Sequence, residues 1–126
     1  PTQRGLIDYP AFCGVTETVE RVPEVDASAL AEELRGDHPP ALVDVREPGE
    51  WAIAHLPHAR LVPKGSLAAR FRFLPKQRAI VVYCKSGRRS ADAARFLLDH
   101  GFPNVRSLRR GIDAWAETVD PSMPRY

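Results

Sequence analysis

Ala79-Ile80-Val81-Val82-Tyr83-Cys84-Lys85-Ser86-Gly87-Arg88-Arg89-Ser90 is the stretch that decides the fold. Its first five residues are apolar and rich in β-branched side chains. So short a run, followed by a charged, glycine-containing segment, suits a strand buried on both faces of a parallel sheet. The strand ends at Cys84. A loop containing Gly87 follows, Ser90 is placed to cap a helix running to about His100, and Gly101 stops it. Ligands of open parallel sheets bind beyond the carboxyl ends of the strands. Cys84 therefore stands where a site belongs.

Upstream, the same alternation of short strands and helices recurs. Val22–Val25 reads as a strand, and Asp26 is placed to cap a helix through Arg35, with Ala29, Leu30 and Leu34 at helical spacing. Gly36 and the pair Pro39-Pro40 end it. Ala41–Val45 is a second apolar strand, Pro48–Ala54 a short helix and Arg60–Val62 a third strand. Ser66–Phe71 is a weaker helix, closed by Pro75. Downstream, Val105–Leu108 is a last strand and Gly111–Trp115 opens a final helix. This order predicts an α/β domain with a mostly parallel sheet. Residues 1–21 show no clean period and read as a tail or linker.

Three effects favour a thiolate at Cys84. A short loop turns several backbone N–H groups inward as an anion nest. The following helix directs its positive end at the same point. Lys85, Arg88 and Arg89 add cations, with no acidic residue until Asp92. A cysteine so placed is expected to be nucleophilic at neutral pH, and the same amides would stabilise a persulfide anion. The alternative is a small apolar cysteine buried at a strand end. A metal site fits poorly, because Cys13 and Cys84 have no partner at ligand spacing and His38, His55, His58 and His100 are scattered.

The 126 residues suit one domain, and 44% hydrophobic with 27% charged residues is ordinary for a globular protein. Two distant cysteines argue against a disulfide framework and for a reducing, cytoplasmic setting. No apolar run reaches the roughly 18 residues of a membrane span. The net charge of +2 conceals an asymmetry. Residues 1–50 carry 11 acidic and 4 basic side chains, whereas 51–91 carry nine basic and none acidic. The basic block is Arg60, Lys64, Arg70, Arg72, Lys76, Arg78, Lys85, Arg88 and Arg89. It favours an anionic ligand or an acidic partner surface, or else is a solvated face. Nucleic acid is a poorer fit, since no nucleic-acid motif is present.

The segment from Tyr83 to Ala91 resembles the active loop of rhodanese domains. Asp44-Val45-Arg46-Glu47, then Glu50-Trp51 and His55-Leu56-Pro57-His58-Ala59, resemble the family's first signature, with His58 where glycine is usual. Gly111-Ile112-Asp113-Ala114-Trp115 resembles its closing one. The resemblance covers residues 22–126 and implies a rhodanese-like α/β fold, a five-stranded mostly parallel sheet flanked by helices. It also implies ping-pong sulfur transfer: Cys84 takes sulfane sulfur as a persulfide and passes it to a nucleophilic acceptor, with no cofactor or metal. Lys85, Ser86, Gly87, Arg88, Arg89 and Ser90 are then the candidate substrate-binding residues, with Arg88 or Arg89 alternatively structural and paired with an acid such as Asp44. Lys85 could instead point to solvent. Asp44 and Arg46 are expected to organise the loops around the site. His55 is expected to be a hydrogen-bonded structural histidine, and Trp51 and Trp115 core or pocket-wall residues.

The nearest rival of the same fold is a cysteine-dependent phosphatase or arsenate reductase, whose loop has five residues between Cys and Arg. Here four separate Cys84 from Arg89. A tetrahedral oxyanion needs a wider ring of amides than one sulfur atom does. A non-catalytic sulfur-carrying or regulatory module is the other alternative. Gly5–Gly14 resembles the tail of an adenylating domain, and Val119–Tyr126 resembles the C-terminus of adenylyltransferase/sulfurtransferase fusion proteins of molybdopterin, thiamine or thiolated-tRNA pathways. That implies residues 1–21 as a linker or the tail of an upstream adenylating domain. It implies a sulfur donor that is thiosulfate or a cysteine desulfurase persulfide, and an acceptor that is a ubiquitin-like sulfur carrier protein. Cys13 is either a relay thiol or a bystander.

Overall fold

The computed structural model describes residues 22–126; the expected linker and Cys13 lie outside them. Five strands form one sheet: β1 (Glu24–Val25), β2 (Ala41–Asp44), β3 (Arg60–Leu61), β4 (Ile80–Tyr83) and β5 (Val105–Leu108). Their order is β1-β5-β4-β2-β3, and every pairing is parallel. The helices are α1 (Ala27–Leu34), α2 (Pro48–Ile53), α3 (Leu67–Arg70), α4 (Arg88–Asp99) and α5 (Gly111–Thr118), with single 3-10 turns on either side of α3.

The two-residue period of the strands divides the core. Val43, Ile80, Val82 and Cys84 face one side, against Ala93, Ala94 and Leu97 of α4 and Leu67 and Leu74 from the α3 region. Leu42, Val81, Tyr83 and Leu108 face the other, against Leu30 of α1 and Ile112 and Trp115 of α5. Burial of each valine, leucine or isoleucine among them stabilises by about 1.5–3 kcal/mol. Because both faces are covered, β4 is apolar throughout, which is why it reads so clearly in the sequence.

Two helix starts differ from expectation. Asp26 occupies the N-cap of α1, but its side chain makes no capping hydrogen bond. It faces Arg109 at 3.3 Å instead, an ion pair reaching from β5. Helix α4 begins at Arg88 behind Gly87, so Ser90 lies in the first turn and does not cap it. Gly87 has φ +104, a conformation that glycine adopts without strain. His58, at the position where glycine was expected, also has positive φ, 64°. Among the described residues, no helix is long and apolar enough to cross a membrane, and no cluster of metal-ligating side chains is found.

Candidate active site

The loop after β4 wraps around one sulfur atom. Gly87 donates its N–H to Cys84 Sγ at 3.0 Å, and Ser90 donates its own at 3.4 Å. The first amides of α4 have no intrahelical acceptor, so they are free to face this point. Left-handed Gly87 turns the chain tightly enough to aim its amide back across three residues. Cys84 is fully buried, and its thiol lies 3.6 Å from Ser90 Oγ as a donor. Ser90 Oγ in turn donates to Gly87 O at 3.1 Å and lies 2.7 Å from Ser107 Oγ. Both serines are buried, so a chain of hydroxyls backs the sulfur.

The outside of the loop is held by α5. Ile112 N–H donates to Cys84 O at 2.8 Å, and Asp113 N–H to Lys85 O at 3.1 Å. These bonds occupy two loop carbonyls with two orphan amides of a helix terminus. With carbonyls turned outward, the neighbouring amides turn inward. The closing signature Gly111–Trp115 thus serves the loop through bonds that each span 28 residues of the chain. Gly111 is the point of closest approach: its φ is +59, and a Cβ there would lie 2.6 Å from the Lys85 carbonyl carbon and inside contact with the carbonyl oxygens of Cys84 and Lys85.

The flanking charges form a paired set. Asp44 and Arg46 are both buried, and the Asp44 carboxylate accepts Arg46 Nε at 2.9 Å, Nη2 at 2.7 Å and the Arg46 backbone N–H at 2.9 Å. Arg46 Nη2 also reaches Ala54 O, and Nη1 donates to the Tyr126 hydroxyl at 2.8 Å. Burial opposes the Arg46 charge, but the hydrogen bonds to Asp44 and Tyr126 outweigh it and hold the guanidinium firmly protonated. Tyr83, one residue before Cys84, packs its ring under Arg46 and accepts Leu56 N–H on its hydroxyl at 3.1 Å. Burial pushes its phenol far up, so it is neutral. Asp44 and Arg46, expected to organise the loops, thus tie the end of β2 to Ala54 and Tyr126.

The loop cations are placed as follows. Arg89 makes a fork with Glu50, Nη1 to Oε1 at 2.8 Å and Nη2 to Oε2 at 3.0 Å. Its acid is therefore Glu50, while Asp44 is taken by Arg46. Lys85 does not simply point to solvent: its ammonium lies 3.1 Å from both carboxylate oxygens of Asp113. Ser86 and Arg88 are exposed. His55 stacks on Trp51 at 3.6 Å between ring centroids and shares a hydrogen bond with Trp51 O. Trp115 is a core residue, and Trp51 is partly buried.

The basic block does not gather at the loop. Lys64 pairs with Asp92 on α4. Arg60 and Arg78 donate to the backbone carbonyls of Phe73 and Pro39, and both line a cleft of about 490 Å³ beside Ala41 and Leu42, at the amino end of β2. That cleft lies at the opposite end of the sheet from Cys84 and holds no loop residue.

Glu50, Asp113, Ser107 and Tyr126 are site residues that the sequence did not assign. Glu50 and Asp113 stood inside the quoted signatures, so their position was visible while their partners were not. The Arg89 guanidinium, against the opposing effect of burial, brings the Glu50 carboxyl down to about 2. An unfolded glutamate titrates near 4.3. The folded value is the lower, so the pair's contribution is complete above about pH 5 and is lost as the pH falls toward 2. Arg89 is 35% exposed, and screening limits the pair to about 1–2 kcal/mol. Glu50→Gln is expected to lower stability by that amount at pH 7 and to match the parent near pH 2, read from urea unfolding at each pH. Equal stability at pH 7 would contradict the assignment.

Comparison with known proteins places the chain among relatives. The family described as "Rhodanese-like domain" matches residues 26–118. A "Probable adenylyltransferase/sulfurtransferase MoeZ" of Mycobacterium tuberculosis is 37% identical over 96% of this chain. The chain spans only 32% of that relative's length. A "Sulfurtransferase" of Allochromatium vinosum is 39% identical, covering 75% of this chain and 89% of its own. Among solved structures, a rhodanese-related protein from Thermoplasma volcanium superposes with a TM-score of 0.71 at 28% identity, over 77% of this chain and 93% of that one.

Proposed function

The chain belongs to the rhodanese-like domain family, and from that premise we propose that it is a sulfurtransferase working through a persulfide on Cys84. The observation that carries this reading is the convergence of the Gly87 and Ser90 amides on Cys84 Sγ. With thiosulfate as donor, the Cys84 thiolate attacks the sulfane sulfur, the S–S bond breaks, and sulfite leaves with the electron pair. The terminal sulfur of the resulting Cys84–S–S⁻ carries the charge at the loop's centre, where amide donors and the α4 terminus offset it. A nucleophilic acceptor then attacks the outer sulfur, and Cys84 leaves as thiolate. Ser90 Oγ, a hydrogen-bond acceptor for the thiol, can rotate to donate to either anion.

Arg88 is exposed and has no ion-pair partner among the described residues. It is the loop cation best placed to receive an anionic donor, while Lys85 and Arg89 shape the rim through Asp113 and Glu50. A free thiol at Cys84 suits a reducing, cytoplasmic compartment. Relatives named adenylyltransferase and sulfurtransferase support the further reading that this is the sulfur-loading part of a longer protein, with residues 1–21 leading from an adenylating domain. On that reading the acceptor is a ubiquitin-like sulfur carrier protein. The donor is thiosulfate or a cysteine desulfurase.

The test is intact-mass spectrometry after exposure to thiosulfate. The expected product is an adduct of about one sulfur mass, removed by cyanide or dithiothreitol and absent in Cys84→Ala. No adduct with thiosulfate or with a desulfurase would leave only a binding module. Hydrolysis of an aryl phosphate would instead favour a phosphatase, against which the short loop and the Glu50-bound Arg89 both speak.

A further inference from the structure

Tyr126 lies eight positions beyond the end of α5, yet its side chain joins three parts of the site. Its hydroxyl accepts Arg46 Nη1 at 2.8 Å and donates to Glu50 Oε2 at 2.7 Å. The Arg46 guanidinium lies 5.8 Å from its ring centroid, and the Lys85 ammonium lies over the ring at 4.9 Å. Glu50 Oε2 is the oxygen that also accepts Arg89 Nη2. One phenol thus stands between a buried cation of the sheet and the carboxylate that pairs with the loop's last arginine. It also contacts the loop's second residue.

We infer that Tyr126 is a positioning residue for the Cys84 loop: its hydroxyl fixes the Glu50 carboxylate that holds Arg89, and its ring seats Lys85. Arg46 Nη1 has no other acceptor among the described residues, so the hydroxyl's orientation is set from behind. Accepting from Arg46, it has its single proton left for Glu50. Glu50 is then held on three sides, by Arg89, Tyr126 and the backbone N–H of Glu47. Arg89 in turn has one preferred place. Lys85 is bounded by Asp113 and the aromatic face, an attractive arrangement for an ammonium. No hydrogen bond joins Tyr126 to Cys84, Gly87 or Ser90, the groups that hold the sulfur. Its effect should fall on how the rim receives an anion and spare the reactivity of the sulfur. The kinetic consequence rests on the sulfur-transfer reading; the geometric coupling does not.

The experiment is a double-mutant cycle between Tyr126→Phe and Glu50→Gln, with Tyr126→Ala as a third variant. Thiosulfate to cyanide transfer is the assay. Loss of one hydrogen bond to a charged group predicts a rise of about fivefold in the KM for thiosulfate in Tyr126→Phe, with kcat within about twofold. Tyr126→Ala, which also unseats Lys85, should raise KM further, and Phe should restore part of that loss. In a Glu50→Gln background, Tyr126→Phe should add less than about twofold. Damage that merely reduced the folded fraction would lower apparent kcat and leave KM alone. An unchanged KM in Tyr126→Phe, or the full effect persisting without Glu50, would overturn the assignment. If the parent protein takes up no sulfur, the sulfur-transfer reading fails by itself. The bridge is then judged by urea unfolding of the same four proteins: non-additivity of about threefold or more in the unfolding constant sustains it, and additivity overturns it.

Discussion

Gly111→Ala is expected to abolish sulfur loading while leaving Cys84 chemically intact. The added methyl would meet the backbone carbonyls of Cys84 and Lys85, at 2.6 Å from the Lys85 carbonyl carbon. Backbone cannot rotate aside as a side chain does. Relief requires α5 to move away from the loop, which breaks the bonds Ile112 N–H to Cys84 O and Asp113 N–H to Lys85 O. The φ of +59 adds a strain of about 1 kcal/mol for any residue with a Cβ. Together these predict a loss of about 3 kcal/mol or more in stability. They also predict a fall of at least about 100-fold in kcat/KM, because a shift of about 1 Å in the loop misaligns the amides around sulfur. Urea unfolding and single-turnover loading from thiosulfate measure the two effects. If the variant does not fold, Ile112→Pro gives a second reading: it removes one amide and adds no atom at Gly111. A Gly111→Ala protein that loads sulfur at the parent rate would show that α5 does not shape the loop.

The second large effect is expected from Asp44→Ala. Asp44 and Arg46 are fully buried, and Asp44 accepts three Arg46 donors. Removing the carboxylate leaves a guanidinium charged and without its main partner, which costs about 3–5 kcal/mol. Removing both charges should cost less than removing one. Asp44→Leu with Arg46→Met is therefore expected to be more stable than Asp44→Ala alone, in the same unfolding assay. A double variant less stable than the single one would mean that the pair is worth more than the burial of its charges costs. The loop should also feel the change, since Arg46 carries Tyr126 and, through it, Glu50 and Arg89.

Much of the fold was legible because its signals are local. The apolar run Ala79–Tyr83 marked the central strand, and the observed β4 is Ile80–Tyr83. Ala41–Val45 and Val105–Leu108 were legible for the same reason, and Pro39-Pro40 and Gly101 punctuated the helices. Errors arose where a local rule met a tertiary competitor. Ser90 has the chemistry of a cap, but left-handed Gly87 starts the helix earlier and places Ser90 against Ser107 and the sulfur. Asp26 holds the N-cap position, but Arg109 draws its carboxylate away.

The sequence by itself determined that Cys84 closes a buried strand and opens a glycine-turned loop before a helix. Those features depend on neighbours a few residues away, through backbone sterics and strand and helix periodicity. Only the tertiary structure decided which charges meet around that loop. Arg89 finds Glu50 at a separation of 39 residues, Lys85 finds Asp113 at 28, and Arg46 finds Tyr126 at 80. A run of nine cations between residues 51 and 91 read as either an anion- or partner-binding surface or a solvated face, and the sheet distributes it to both of its ends. Ion-pair partners are fixed by which elements pack together and in what register. Composition along the chain carries the number and sign of the charges, while packing sets the distances over which they act.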